Sequence, residues 1–171
     1  TGISMSALSI VQFKKTLENL DSCMAKAEAY ATAKKFEVNV LANYRLAPDM
    51  FHLVKQVQSC CDTAKFAASY LSKQTPPKHE DNEVTFAELR ARIQKVIAYL
   101  GGFTAADFAG YAEVKVSPNW AQGKWLTGEE YLEELAIPNF YFHVMTTYAI
   151  LRFAGVDVGK MDYLGAINLK E

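Results

Sequence analysis

The sequence predicts an all-α four-helix bundle with a small β-hairpin insertion before helix four. Three observations carry this reading. Ile10, Phe13, Leu17, Leu20, Met24, Ala27 and Ala31 recur in alternating three- and four-residue steps, the seam of helices packed about 20° apart. Two further stripes repeat the pattern, Met50, Leu53, Val57, Cys61, Ala64, Ala68, Leu71 and then Phe86, Leu89, Ile93, Val96, Leu100. A fourth helical stretch, EEYLEELA followed by PNFYFHVMTTYAILRF, closes at Phe153-Ala154-Gly155.

The first helix should run from Ser6 to Lys34, with Lys14, Lys15, Glu18 and Lys26 on its solvated face. Residues 36–48 lack a clear period and read as a short, partly helical connection, with Pro48-Asp49 opening the second helix, 49–72. The polar segment KQTPPKHEDNEV, 73–84, is a linker. Twelve extended residues reach roughly 40 Å, more than the length of such a helix. Helices two and three can therefore be parallel neighbours joined by a crossover. Thr85-Phe86-Ala87-Glu88 is a capping box and Gly101-Gly102 ends the third helix, with Arg90, Arg92 and Lys95 placed mostly on its outer face. Residues 112–116 alternate, Ser117-Pro118-Asn119 is a turn, and 123–126 return, which predicts the hairpin carrying Trp120 and Trp125. Thr127-Gly128-Glu129-Glu130 caps the fourth helix, and Pro138, lacking an N–H for the Glu134 carbonyl, should kink or restart it. The tail after Gly155 has no helical period and should wrap the bundle.

Length and composition narrow the class. The 171 residues predict one domain over 1–171, half of them hydrophobic and 22% charged. With net charge −1 and no dense Lys/Arg stripe, nucleic-acid binding has no electrostatic support. No apolar run reaches the roughly 20 residues of a membrane span. Cys23, Cys60 and Cys61, an odd number with two adjacent, make no disulfide framework and no C-x-x-C zinc knot. A cytoplasmic setting is the expectation; the chain begins at Thr1, so a removed leader is compatible with it.

The candidate site lies on the fourth helix. At 100° per residue Leu132, Leu135, Phe142, Ile150 and Phe153 share an apolar arc, and Asn139, His143 and Thr146 are interleaved with them. Burying such groups costs roughly 1 to 3 kcal/mol each without partners, so a hydrogen-bond network or a ligand should lie opposite. Asn139 and His143, four apart, reach one point. On the second helix Gln58 leans toward the core and Asp62 lies one turn on. His143 reads as a buried histidine bonded to Asn139, Gln58 or Thr146, as a metal ligand, or as a general acid or base. His52 and His79 read as surface and linker residues. Cys61, on the core stripe, reads as inert packing rather than a nucleophile; Trp120, Trp125, Tyr141 and Tyr148 read as core, with a pocket mouth or a dimer contact as the alternative.

Taken together, RLAPDMF at 45–51, QVQSCCDTAK at 56–65, TFAELRARI at 85–93, the PNFYFH block from Pro138 and the GVDVGKMDYLG tail resemble the DinB/YfiT-like four-helix-bundle superfamily of metalloenzymes. The likeness is strongest to a bacterial branch of domains of unknown function. The resemblance implies a divalent metal, Zn, Ni or Mn, held by one histidine on helix two and an H-x-x-x-H pair on helix four, thiol-dependent transferase chemistry in several relatives, and a homodimer. Carried onto this chain, the ligand positions fall at Gln58, with Asp62 one turn on, and at Asn139 and His143. One histidine of three survives, and amide oxygens bind zinc or nickel less tightly than imidazoles. Two functions are open at this point. One is a metal-dependent enzyme, a thiol-linked transferase or hydrolase with His143 as its catalytic residue. The other is a metal-free small-molecule-binding or stress-response protein.

Overall fold

The computed structural model describes residues 4–171. Helix α1, Met5–Lys34, is capped by the Ser4 hydroxyl on the Ala7 N–H, and its seven seam residues are all buried. Residues 38–43 form the expected short connection, a 3₁₀ helix Val38–Asn43. Pro48-Asp49 does not open the next helix. Arg45 Nη1 donates to the Met50 carbonyl at 2.9 Å and holds this stretch as a turn. Helix α2, Leu53–Leu71, starts only where the His52 ring, an N-cap and not a free surface side chain, accepts from the Lys55 N–H at 3.2 Å.

The linker after α2 runs back along that helix: His79 meets Lys65, Glu83 meets Gln58 and Asp81 lies by Lys55. Helix α3, Phe86–Gly101, therefore begins beside the start of α2 and lies parallel to it, opened by the Thr85/Glu88 capping box. The expected crossover is present. Helix α1 runs antiparallel to α3, with Arg90 bound to Asp21 and Glu28 and Gln94 to Asp21.

Two short strands follow, β1, Lys115–Val116, paired antiparallel with β2, Leu126–Thr127. The hairpin is smaller than its alternating pattern predicts, because Tyr111–Glu113 coil into a 3₁₀ turn instead of extending. Gly128 explains how closely the insertion docks: a Cβ there would collide with the Tyr111 carbonyl.

Helix α4 opens at the Thr127/Glu130 capping box as a first turn, Gly128–Glu130, passes through a π-helical stretch, Tyr131–Ala136, and continues as Ile137–Phe153. The π stretch ends just before Pro138, whose missing N–H breaks the regular ladder at Glu134. One extra residue in the turn rotates all that follows by about 100°. The arc drawn for a uniform helix is corrected accordingly. Leu132 and Ile150 are buried, Phe142 and Phe153 are exposed, and the inward face is Phe140, His143, Val144, Thr146, Thr147, Ile150 and Leu151, with Thr146 buried as expected. Phe140 packs on Phe13 of α1 with ring centroids 4.2 Å apart. The tail is not free of helix: α5, Lys160–Leu164, lies on α1 through the Lys26–Asp162 ion pair and the Asn19 amide, which donates to the Tyr163 carbonyl.

Candidate functional site

His143 is 9% exposed and is held from α2. Its Nδ1 lies 2.7 Å from Gln56 Oε1. The Gln56 amide nitrogen donates to the Phe51 carbonyl at 3.1 Å, so its oxygen faces the ring. An amide oxygen only accepts, so Nδ1 must carry the proton and Nε2 keeps the lone pair. Burial, reinforced by the nearby Lys55 charge, moves the His143 pKa below its ordinary value and favours the neutral ring. Phe51 stacks parallel to the imidazole at 6.5 Å and Phe142 meets it edge-on at 5.2 Å.

Asn139 is fixed in a similar way. Its Nδ2 donates to Thr63 Oγ1 at 2.9 Å, and that hydroxyl donates to the Ser59 carbonyl at 2.7 Å. The Asn139 Oδ1 takes no hydrogen bond among the described residues. The two side chains thus present one nitrogen lone pair and one carbonyl oxygen, both acceptors. They line a cleft of about 250 Å³ between α2, α4 and the loop 118–120, together with Asp62, Phe66, Tyr70 and Trp120.

The other expected partners divide. Asp62 lines the cleft, but its Oδ1 accepts from Arg92 Nη2 at 2.7 Å and from Lys65 at 3.2 Å. Gln58 does not converge with His143. Two residues from Gln56 on a helix, it faces the opposite way and donates to Glu83 at 2.9 Å. Arg92, expected outside, is 2% exposed and gathers Asp62, Asp81 and Glu83. Among the described residues no group of three or more His, Cys, Asp or Glu is placed to hold a metal ion. Gln58 turned to Glu83, and Asp62 held on Oδ1 by Arg92, leave His143 and Asn139 without the full donor set that the resemblance implies. The cysteines are equally unsuited to nucleophilic work: burial raises the Cys60 thiol well above its ordinary pKa and pushes Cys61 up to about 12.

Two site residues were missed from sequence, and each had a signal. Gln56 follows Leu53 by three residues and precedes Cys60 by four, which places it on the inward face of α2. Arg92 follows Leu89 by three residues and adjoins Ile93, at the edge of the α3 stripe. Trp120 and Trp125, expected in the core, are 70% and 53% exposed, and Trp120 stands at the cleft mouth.

A four-helix bundle with a parallel second and third helix, a hairpin before the fourth and a polar cleft between the second and fourth is a DinB-like bundle. The chain belongs to the family described as Domain of unknown function (DUF1993), which matches residues 5–164. It is similar to the crystal structure of a DinB family member protein from Shewanella denitrificans, at 54% identity and a TM-score of 0.91, over 95% of this chain and 92% of that one. No curated protein matches it. No helix among the described residues is long and apolar enough to cross a membrane.

Proposed function

We propose that this DinB-like protein binds a small molecule in the cleft between α2 and α4, on His143 and Asn139, without requiring a metal. The observation that carries the reading is the relay from the Phe51 carbonyl through Gln56 to His143. It uses up one ring nitrogen and turns the other into a fixed acceptor, while the Thr63 hydroxyl fixes Asn139 likewise. Side chains held in place beforehand lose little freedom on binding. Two acceptors and aromatic walls call for a ligand that brings N–H or O–H donors on an apolar body.

The test is a fragment screen by NMR, read on the His143 ring and the Asn139 amide. Donor-bearing fragments should shift both, and His143→Phe or Asn139→Leu should each weaken binding about tenfold, the worth of one buried hydrogen bond. Zinc, nickel or manganese bound stoichiometrically and lost in His143→Ala would overturn the reading in favour of the metal-dependent transferase or hydrolase.

We also infer that two copies pair through the outer face of α4, where Phe142, Met145 and Phe153 stand 54%, 47% and 73% exposed. Apolar groups gathered on one helix face are the usual mark of an interface. Light scattering should give a dimer mass for the wild type and a monomer mass for Phe142→Lys/Phe153→Lys. A monomeric wild type would contradict the pairing.

A further inference from the structure

The cleft bears more information than its two fixed acceptors. Among the described residues no lysine or arginine lines it, and its one ionised side chain is Asp62. The second carboxylate oxygen of Asp62, Oδ2, takes no hydrogen bond among the described residues; Arg92 and Lys65 both bind Oδ1. Those two cations are themselves shared. Arg92 also serves Asp81 and Glu83, and Lys55 lies by Asp81, so the cluster behind the cleft is close to balance and what Asp62 offers is its free Oδ2. Phe66, Tyr70 and Trp120 line the same space; Phe66 is stacked on Tyr70 at 5.5 Å and takes the Lys65 ammonium over its ring at 4.6 Å, so Trp120 is the exposed ring at the cleft. A carboxylate oxygen, a carbonyl oxygen and a nitrogen lone pair beside an exposed indole are the complement of a positively charged donor. An ammonium brings up to three N–H groups for those acceptors and a charge that aromatic faces attract. An anionic ligand would meet like charge and find few donors.

We infer that the cleft selects an organic ammonium, a primary amine on a small apolar or aromatic body, with Asp62, Asn139 and His143 receiving its N–H groups and Trp120 covering its charge. This rests on the reading of the cleft as a ligand site and adds the ligand's class.

Three matched probes separate the possibilities: 2-phenylethylamine, 2-phenylethanol and 3-phenylpropionate, titrated at neutral pH into the full chain carrying Trp125→Phe, so that Trp120 is the one fluorophore of its kind. Binding is read from Trp120 fluorescence and from the His143 and Asn139 resonances. The amine should bind about tenfold more tightly than the alcohol, the carboxylate more weakly than either, and added salt should narrow the gap. Asp62→Asn should remove most of the amine's advantage over the alcohol. Because that substitution touches Arg92, Trp120→Ala at the exposed mouth is the second variant, read on the His143 and Asn139 resonances alone; it should narrow the gap between amine and alcohol, and the ranking in the Asp62-containing chain decides the matter without either. An alcohol or carboxylate that binds as tightly as the amine overturns the ammonium inference and leaves the binding cleft standing. Silence of the cleft resonances with all three probes also overturns it, and the donor-fragment screen then judges the binding site separately.

Discussion

Replacing Arg92 by alanine is expected to lower the melting temperature by about 10 °C, a loss of about 3 to 5 kcal/mol. The guanidinium is 2% exposed and reaches Asp81 at 2.6 Å, Asp62 at 2.7 Å and Glu83 at 3.2 Å. Removing it strands carboxylates from α2 and the linker around a cavity, with Lys65 the nearest remaining cation. Arg92→Lys should fall between, since an ammonium keeps the charge but cannot fork between three acceptors. The same cluster sets a pH signature. For Glu83 and Asp81 burial works to raise the pKa, but it is outweighed, by hydrogen bonds from Gln58 and Arg92 and by Arg92's charge, so both sit below the ordinary carboxylate value. Groups depressed in the folded state contribute stability above their unfolded pKa, about 4, and lose it as pH falls through the folded value. Thermal melts from pH 7 down to 3 should therefore fall more steeply below about pH 4 in the wild type than in Arg92→Ala. Parallel profiles would show that Arg92 does not hold these carboxylates.

Phe140→Ala is expected to cost about 3 to 5 kcal/mol in urea unfolding, as a fully buried ring packed at a tilt on Phe13 at the α1–α4 contact. At concentrations low enough for the chain to be monomeric, Phe142→Ala should change stability by no more than about 0.5 kcal/mol, since that ring is 54% exposed. The pair tests the π stretch directly. A uniform helix places Asn139 and Phe142 inside, and a one-residue π turn before Pro138 hands those places to Phe140 and His143. A large loss at Phe142 with a small one at Phe140 would refute the rotated register.

The bundle was legible because its signals are periodic and local. Every seam residue of α1 is buried, and the capping boxes at Thr85 and Thr127 begin their helices where the sequence places them. The crossover followed from the reach of a twelve-residue linker. The site was legible only in part. Asn139 and His143 were found because polar groups interrupted an apolar helix. Their partners were not, because partner choice depends on the relative rotation of α2 and α4, and no spacing within one helix encodes that. Gln58 and Gln56 differ by two residues and face opposite ways; the spacing of Gln56 from Leu53 and Cys60 turns it inward, but only the packing of α2 on α4 sets it against His143. Arg92 was misplaced for a related reason: a lone arginine reads as solvated until the linker's Asp81 and Glu83 are folded back over it. The exposed face of α4 was misread because Pro138 predicts a disturbance but not its sense, and a π insertion turns the following residues by one position.

The hydrogen bond to Gln56 and the burial of the ring make His143 a neutral imidazole with its proton on Nδ1 and its lone pair on Nε2. A long-range ¹H–¹⁵N spectrum of the histidine side chains at neutral pH measures this directly. The account predicts a protonated, pyrrole-type Nδ1 and a bare, pyridine-type Nε2 for His143, a preference lost in Gln56→Leu, and an Nε2 signal that moves when a donor ligand binds. A ring protonated on Nε2, or charged at neutral pH, would contradict it.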